Sequence, residues 1–316
     1  MIALGIDIGG TSIKGASIND KGEILDRFSL SVNKKETPEK TLGKLCNIIN
    51  EFIKEHKYGG SIAGIGIGTP GIIDYQKEII ITSPNLPTWS SFPLKGFIEK
   101  HTHLSVEVCN DANAAALGES VFGSGKNYEH VVMLTLGTGV GSGIIVNQKI
   151  FDGNLHQGAE IGHMVIVDNG RKCACGRRGC LEAYASATAL IKETKKALAK
   201  YPDTLMHKVV KELGVCDARV AFIAAKQNDW VALRLIHKYV MYLSEGILNI
   251  CNIFRPEAVI LSGGVANEGE YLLEMIRAYL KKHNYGMLNA PFVDVRLASL
   301  GYDSGKIGAA CLVFGK

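Results

Sequence analysis

The chain has 316 residues, 47% of them apolar and 21% charged, an ordinary balance for a water-soluble globular protein and long enough for two domains. Its formal net charge of +4 is too small to argue for nucleic acid or a membrane surface as partner, and no run of five like charges occurs. The start, M-I-A-L-G-I-D, has no basic segment ahead of an apolar one, so no signal peptide is read. The most apolar long stretch, Val131 to Val146, is broken by glycines and threonines and is too short to cross a bilayer. Of the eight cysteines, Cys46, Cys109, Cys216, Cys251 and Cys311 stand singly in apolar settings, which suits a reducing cytoplasm better than a disulfide framework.

Ile2, Leu4, Ile6 and Ile8 alternate with other residues and predict a strand; Gly9-Gly10-Thr11-Ser12 is a tight turn, and Ile13 to Ile18 the returning strand of a hairpin. The stretch D-I-G-G-T-S-I-K-G places an acid, two hydroxyls and the lysine Lys14 around glycines whose backbone N–H groups can approach a phosphate. Asp7 cannot bind phosphate, but it can hold a hydrated magnesium ion. Taken alone, G-G-T is equally compatible with an ordinary hairpin turn. Residues Val131 to Val146 repeat the plan of strand, Gly-rich turn and strand. Thr135 aligns with Asp7, and Gly137-Thr138-Gly139 with Gly9-Gly10-Thr11, so a duplicated architecture is expected.

Between the hairpins, Thr41 to Lys57 has the period of an amphipathic helix (Leu42, Leu45, Ile48, Ile49, Phe52, Ile53). Ile62 to Ile67 is a short buried strand running into G-T-P-G-I-I-D, where Gly71 after Pro70 signals a turn. The two prolines of S-P-N-L-P-T-W exclude a helix and stiffen a loop expected to present Asn85 and Trp89. An Asn side chain offers one acceptor and two donors to sugar hydroxyls, but it caps its own turn about as readily. Leu104 to Cys109 reads as a strand and Ala112 to Glu119 as an Ala-rich helix, with Asn110 and Asp111 at the junction. Asp111 fits a helix N-cap, the commoner use of an Asp so placed; the sharper reading is a general base at the C-terminal end of a strand, where α/β folds build their sites.

After the second hairpin, residues 153 to 163 are polar and glycine-interrupted; Glu160 and His163 stand three apart, so one helical turn would put them on one face. Ser186 to Lys200 and Thr204 to Leu213 read as helices, and Trp230 to Phe254 as a long periodic helix with one buried face. Ala258 to Leu261 is a buried strand leading into Gly263 and Gly264, and the chain ends in a helix.

Cys173, Cys175 and Cys180 fall within eight residues, ten residues after His163. Three thiolates and an imidazole make a complete tetrahedral zinc set of the closed, structural kind. Three unrelated buried cysteines would be the alternative, but buried cysteines rarely crowd into a loop reading G-R-R-G. Glu160 and Glu182 flank the cluster, so a metal there would fix two carboxylates.

G-A-E-I-G-H followed by C-x-C-G-x-x-G-C-x-E resembles the signature of the ROK family (repressor, open reading frame, kinase), and the other motifs span nearly the whole chain in family order. The resemblance implies a two-domain α/β fold of the actin/hexokinase-like (ribonuclease H-like) type, with two β-hairpin phosphate loops. It puts the smaller domain at residues 1 to 120, completed by the helix at 303 to 316, and the larger domain, with the zinc loop, at 121 to 302. V-C-N-D-A-N-A-A-A-L-G-E resembles the family's catalytic segment, in which the Asp, here Asp111, accepts the proton of the attacking sugar hydroxyl. Gly71, Asn85, Asn110, Glu160, His163 and Glu182 would hold the sugar. Asp7, Gly9, Gly10, Thr11, Lys14, Thr138 and Gly139 would serve ATP and Mg²⁺, with Gly263 and Gly264 under the adenosine. His163, Cys173, Cys175 and Cys180 would hold structural zinc.

The implied activity is ATP-dependent phosphorylation of a hexose by a cytoplasmic homodimer. Glucose is favoured because E-A-Y-A-S-A-T-A after the cluster looks like the family's glucokinases. N-acetylmannosamine, N-acetylglucosamine and fructose kinases share the motifs and remain alternatives. A sugar-sensing repressor of the family would carry an N-terminal DNA-binding module, for which this start leaves no room. Two departures stand out: Leu155, His156 and Gln157 are larger than the small residues usual before the Glu, and Ser304 stands where Ala is common.

Overall fold

In the computed structural model, residues 1–55, 62–74, 77–83, 86–285 and 292–315 are described. Strands β1 (Ile2–Ile8), β2 (Ser12–Asn19), β3 (Ile24–Ser31), β4 (Ile62–Thr69) and β7 (Val106–Asn110) form one sheet, in the order β3-β2-β1-β4-β7. β1 pairs antiparallel with β2 and parallel with β4, which in turn pairs parallel with β7. Central β1 is buried almost end to end, because both faces are covered, whereas edge strand β3 alternates half-buried and exposed residues. The hairpin of β5 (Ile72–Asp74) and β6 (Ile79–Thr82) forms a separate two-stranded sheet.

Helix α1 (Pro38–Glu55) buries Leu42, Leu45, Cys46, Ile49 and Phe52, a stripe at helical spacing that joins the core of β1 and β4. The same core takes Trp89, which is 1% exposed. Trp89 was expected on a presenting loop; the ring instead turns inward from a short 3₁₀ turn, because so large an apolar surface gains more from burial than from display. Helix α2 (Leu94–Thr102) adds Leu94 and Ile98 to this core. Helices α3 (Asp111–Val121) and α10 (Ser304–Phe314) pack on each other and on β4. They cross closely because Gly308 has no side chain: a Cβ there would overlap the Ala114 carbonyl oxygen.

The second sheet contains β8 (Val131–Leu136), β9 (Val140–Val146), β10 (Lys149–Ile150), β11 (Ala258–Ser262) and β12 (Asp294–Leu297), in the order β10-β9-β8-β11-β12. The remaining helices are α4 (Glu182–Ala185), α5 (Ala187–Lys200), α6 (Met206–Leu213), α7 (Arg219–Lys226), α8 (Trp230–Phe254) and α9 (Glu270–His283). α8 runs over the whole expected stretch, and its N-cap Asp229 accepts from Ala232 N at 2.8 Å. By contacts the chain divides into two units: Met1–Val131, Gly143–Ala159 and Ser299–Lys316 in the first, Val132–Ser142 and Glu160–Ala298 in the second. No helix among the described residues is long and apolar enough to cross a membrane.

Candidate active site

In the first unit, β1 and β2 are joined by Gly9, Gly10 and Thr11, with Gly9 N donating to Ser12 O at 2.9 Å. Asp7 lies across the ladder from Lys14 and beside Gly68 of β4. Burial pushes its carboxyl up, and the charges of Lys306 and Lys14 pull it part of the way back. Lys306 is an acquisition of the tertiary structure. It is 5% exposed at the start of α10, its Nζ 2.6 Å from Asp303 Oδ1, while the other Asp303 oxygen takes Arg27 Nη2 at 2.6 Å. A buried ammonium survives because it is paired. Asp303 and Lys306 are three apart at a helix start, the only local signal the sequence carries for this pair.

The strand-to-helix junction shows which of two neighbouring residues does the capping. Asn110, not Asp111, is the N-cap of α3: its Oδ1 accepts from Ala112 N at 2.9 Å and Asn113 N at 3.4 Å. Its Nδ2 donates to Gly71 O at 3.3 Å, tying the cap to the turn after β4. Gly71 has φ +107° and lies where a Cβ would overlap the Thr82 carbonyl, so only glycine fits. Asp111 is the first helical residue, half-buried, its Oδ1 accepting from Ala112 N at 2.9 Å. The helix N-terminus favours its carboxylate. The N-cap reading of Asp111 is thereby corrected, since its backbone is already helical and the cap position falls one residue earlier. Asn85 lies outside the described residues.

In the second unit, His163 ends the 3₁₀ turn Ile161–His163, whose first N–H donates to Ser142 Oγ at 3.0 Å. Glu160 precedes that turn, exposed, with its carbonyl accepting from His163 N at 3.0 Å. One ligand atom from each of His163, Cys173, Cys175 and Cys180 lies within 4.8 Å of all the others. Cys173 Sγ is 3.7 Å from His163 Nδ1, and Cys175 Sγ is 3.7 Å from Cys180 Sγ. Zinc–sulfur bonds of about 2.3 Å in tetrahedral array give edges of about 3.8 Å, so the donor set fits zinc in size and chemistry. Burial pushes the Cys173 thiol up to about 12 and raises Cys180, while the Arg177 backbone N–H lowers exposed Cys175.

Glu182 ties this loop to the second Gly-rich turn. Its Oε1 accepts from Cys173 Sγ at 3.4 Å and its Oε2 from Val140 N at 3.1 Å. β8 and β9 are joined by Gly137, exposed Thr138 and Gly139, a three-residue connection like that of the first hairpin. Gly263 and Gly264 are exposed and follow β11, where Gly263 packs against the Leu136 backbone with φ +87°.

The sequence matches the ROK family over residues 3–316. It is 35% identical to a glucokinase of Thermotoga maritima, over 98% of this chain and 96% of that one. It is 34% identical to the xylose repressor of Bacillus subtilis, over 98% of this chain and 76% of that one. The crystal structure of a ROK family glucokinase from Streptomyces griseus in complex with glucose and AMPPNP superimposes with a TM-score of 0.82 at 33% identity, covering 100% of both chains. The fold is thus the actin/hexokinase-like fold of the ROK sugar kinases. Family match, identity and superposition agree along the full length: the chain belongs to the ROK family.

Proposed function

We propose that this protein is an ATP-dependent hexose kinase, a glucokinase, with Asp111 as its general base. The observation that carries the reading is a carboxylate at the first residue of α3, on a capped strand-to-helix junction, in a chain similar along its length to ROK glucokinases. Asp111 accepts the proton of the attacking hydroxyl as that oxygen bonds to the terminal phosphorus and the bond to the departing ADP oxygen breaks. Positioning and charge neutralisation do most of the work in such a transfer.

In the first unit, Asn110, Gly71 and Asn85 are assigned to the sugar; in the second, Glu160, His163 and Glu182 carry the same assignment. Gly9, Gly10, Thr11 and Lys14, together with Thr138 and Gly139, are assigned to the phosphates, and Gly263 and Gly264 to the adenosine. Magnesium would neutralise the phosphates; Asp7, the one carboxylate on the first turn and flanked by two lysines, suits the outer sphere of a hydrated ion. Zinc would sit in the His163, Cys173, Cys175 and Cys180 set as a closed structural site, holding Glu182 and His163 in place. The protein is read as a cytoplasmic homodimer, which light scattering tests.

A coupled assay of ADP release over glucose, mannose, fructose, N-acetylglucosamine and N-acetylmannosamine tests the reading. Turnover fastest with glucose is expected; preference for another sugar of the panel reassigns the substrate. The similarity to the B. subtilis xylose repressor favours a second reading, a sugar-responsive regulator. That reading requires sugar binding without turnover, so the same assay separates the two.

A further inference from the structure

The segment after β10 departs from the usual small residues, carrying Leu155, His156 and Gln157. It forms a closed loop within the first unit: Gly158 N donates to Asp152 O at 2.6 Å, and His156 N to Gly153 O at 3.3 Å. Leu155, His156 and Ala159 all have left-handed backbones, with φ of 55°, 56° and 66°, which residues with a Cβ adopt only at a cost. Such outliers persist where surrounding structure enforces them, and they gather at ligand sites.

The enforced conformation brings His156 Nδ1 to 2.8 Å from Asp152 Oδ2. A carboxylate only accepts, so Nδ1 carries the hydrogen, and in that tautomer Nε2 is the acceptor. The His156 side chain is 47% exposed, so a ligand can reach it. The turn Asn154–His156 packs against β5, which starts one residue after Gly71, and Gly71 is the residue that Asn110 ties to Asp111. Burial first, and then the charges of Asp111 and Asp152, raise the Cys109 thiol.

We propose that His156, oriented by Asp152, touches the acceptor sugar beside Asp111 and takes a hydrogen bond from one of its hydroxyls, making it a specificity-determining residue. Asp152 acts through His156 as a positioning residue. The inference rests on the hexose-kinase reading and adds to it which of this chain's own residues selects the sugar.

The test compares wild type, His156→Ala and Asp152→Ala on glucose and on its 1-, 2-, 3- and 4-deoxy analogues. A half-exposed neutral hydrogen bond predicts that His156→Ala raises the glucose KM by about 3- to 10-fold, with kcat and the ATP KM changed less than about twofold. For one deoxy sugar, lacking the hydroxyl that His156 accepts from, the KM stays as in wild type. Asp152→Ala shows the same selectivity change, smaller. A merely structural role would instead raise KM for all the sugars alike. Unchanged ratios across the panel in both variants, with glucose turned over by wild type, overturn the inference and leave the kinase reading standing. A wild-type protein that turns over none of the panel overturns both. Should His156→Ala fail to fold, the panel ratios of Asp152→Ala decide.

Discussion

Two carboxylates assigned to the sugar, Asp111 and Glu182, are positioned by different physics. Asp111 is fixed by regular backbone: a strand paired along its length, a capped helix and a buried helix face. Glu182 follows residues 164–181, which hold no helix or strand beyond single bridges such as Val165 to Cys180 and Lys172 to Arg178. Its order comes from scattered backbone bonds, such as Ile166 N to Gly179 O at 2.9 Å and Leu181 N to Met164 O at 2.9 Å, and from the gathered His163 and cysteine side chains. Helix and sheet hydrogen bonds hold Asp111, whereas Glu182 follows a stretch held by turn and bridge hydrogen bonds, to which zinc ligation would add on the proposed reading.

The contrast is broken most severely at the base. Asp111→Asn should lower kcat by roughly 10²- to 10⁴-fold, while circular dichroism and sugar binding stay as in wild type. A variant with wild-type turnover would remove Asp111 from the chemistry. Next in size is the metal. Elemental analysis should find about one zinc per chain, and stripping it, or Cys180→Ser, should cut activity tenfold or more and expose the 164–181 loop to protease. Zinc-free protein with full activity and a protected loop would show that the loop's own bonds and packing order Glu182 without metal.

Asn110→Ala should cost about 1 kcal/mol of stability in denaturant melts, the usual worth of a cap, and lower kcat because Asp111 loses its anchored neighbour. Unaltered melts would assign the order of this junction to the strand rather than the cap. The smallest effect is expected at Asp303. Burial alone would raise its carboxyl, but pairing with Lys306 and Arg27 holds it below the ordinary carboxylate range. A depressed folded value stabilises above the unfolded value of about 3.9, and that contribution is lost as pH falls through the folded one. Asp303→Asn should therefore lower the melting temperature modestly at pH 7, with the deficit shrinking below about pH 4. A deficit independent of pH would mean that shape rather than charge matters there.

Elements with long clean periods were legible: α8, α1 and both glycine-turn hairpins lie where their patterns predict. The short or half-exposed ones, β3, the β5 and β6 hairpin, α7 and β12, carried no reading, since three to eight residues with mixed burial give no distinctive period. At the site, spacing was enough to group His163 with Cys173, Cys175 and Cys180, which the fold gathers, and to mark Asn110 and Asp111 as a junction. It did not say which of the two caps, because both side chains can, and only backbone angles separate them.

The sequence by itself determined the local chemistry: Gly-rich turns joining two strand pairs, three thiols and an imidazole in one short stretch, and an acid where a strand gives way to a helix. Tertiary structure decided what surrounds each of these. It brought Lys306 to within charge range of Asp7, 299 residues away by number, and set Asp152 against His156 on a strained loop. It also buried Glu119 completely, with Ser124, Ser299 and Leu300 N–H groups around its carboxylate. A periodic pattern reports only neighbours within a turn or a strand, whereas a buried charge finds its partners wherever packing closes, and that is written in no single segment.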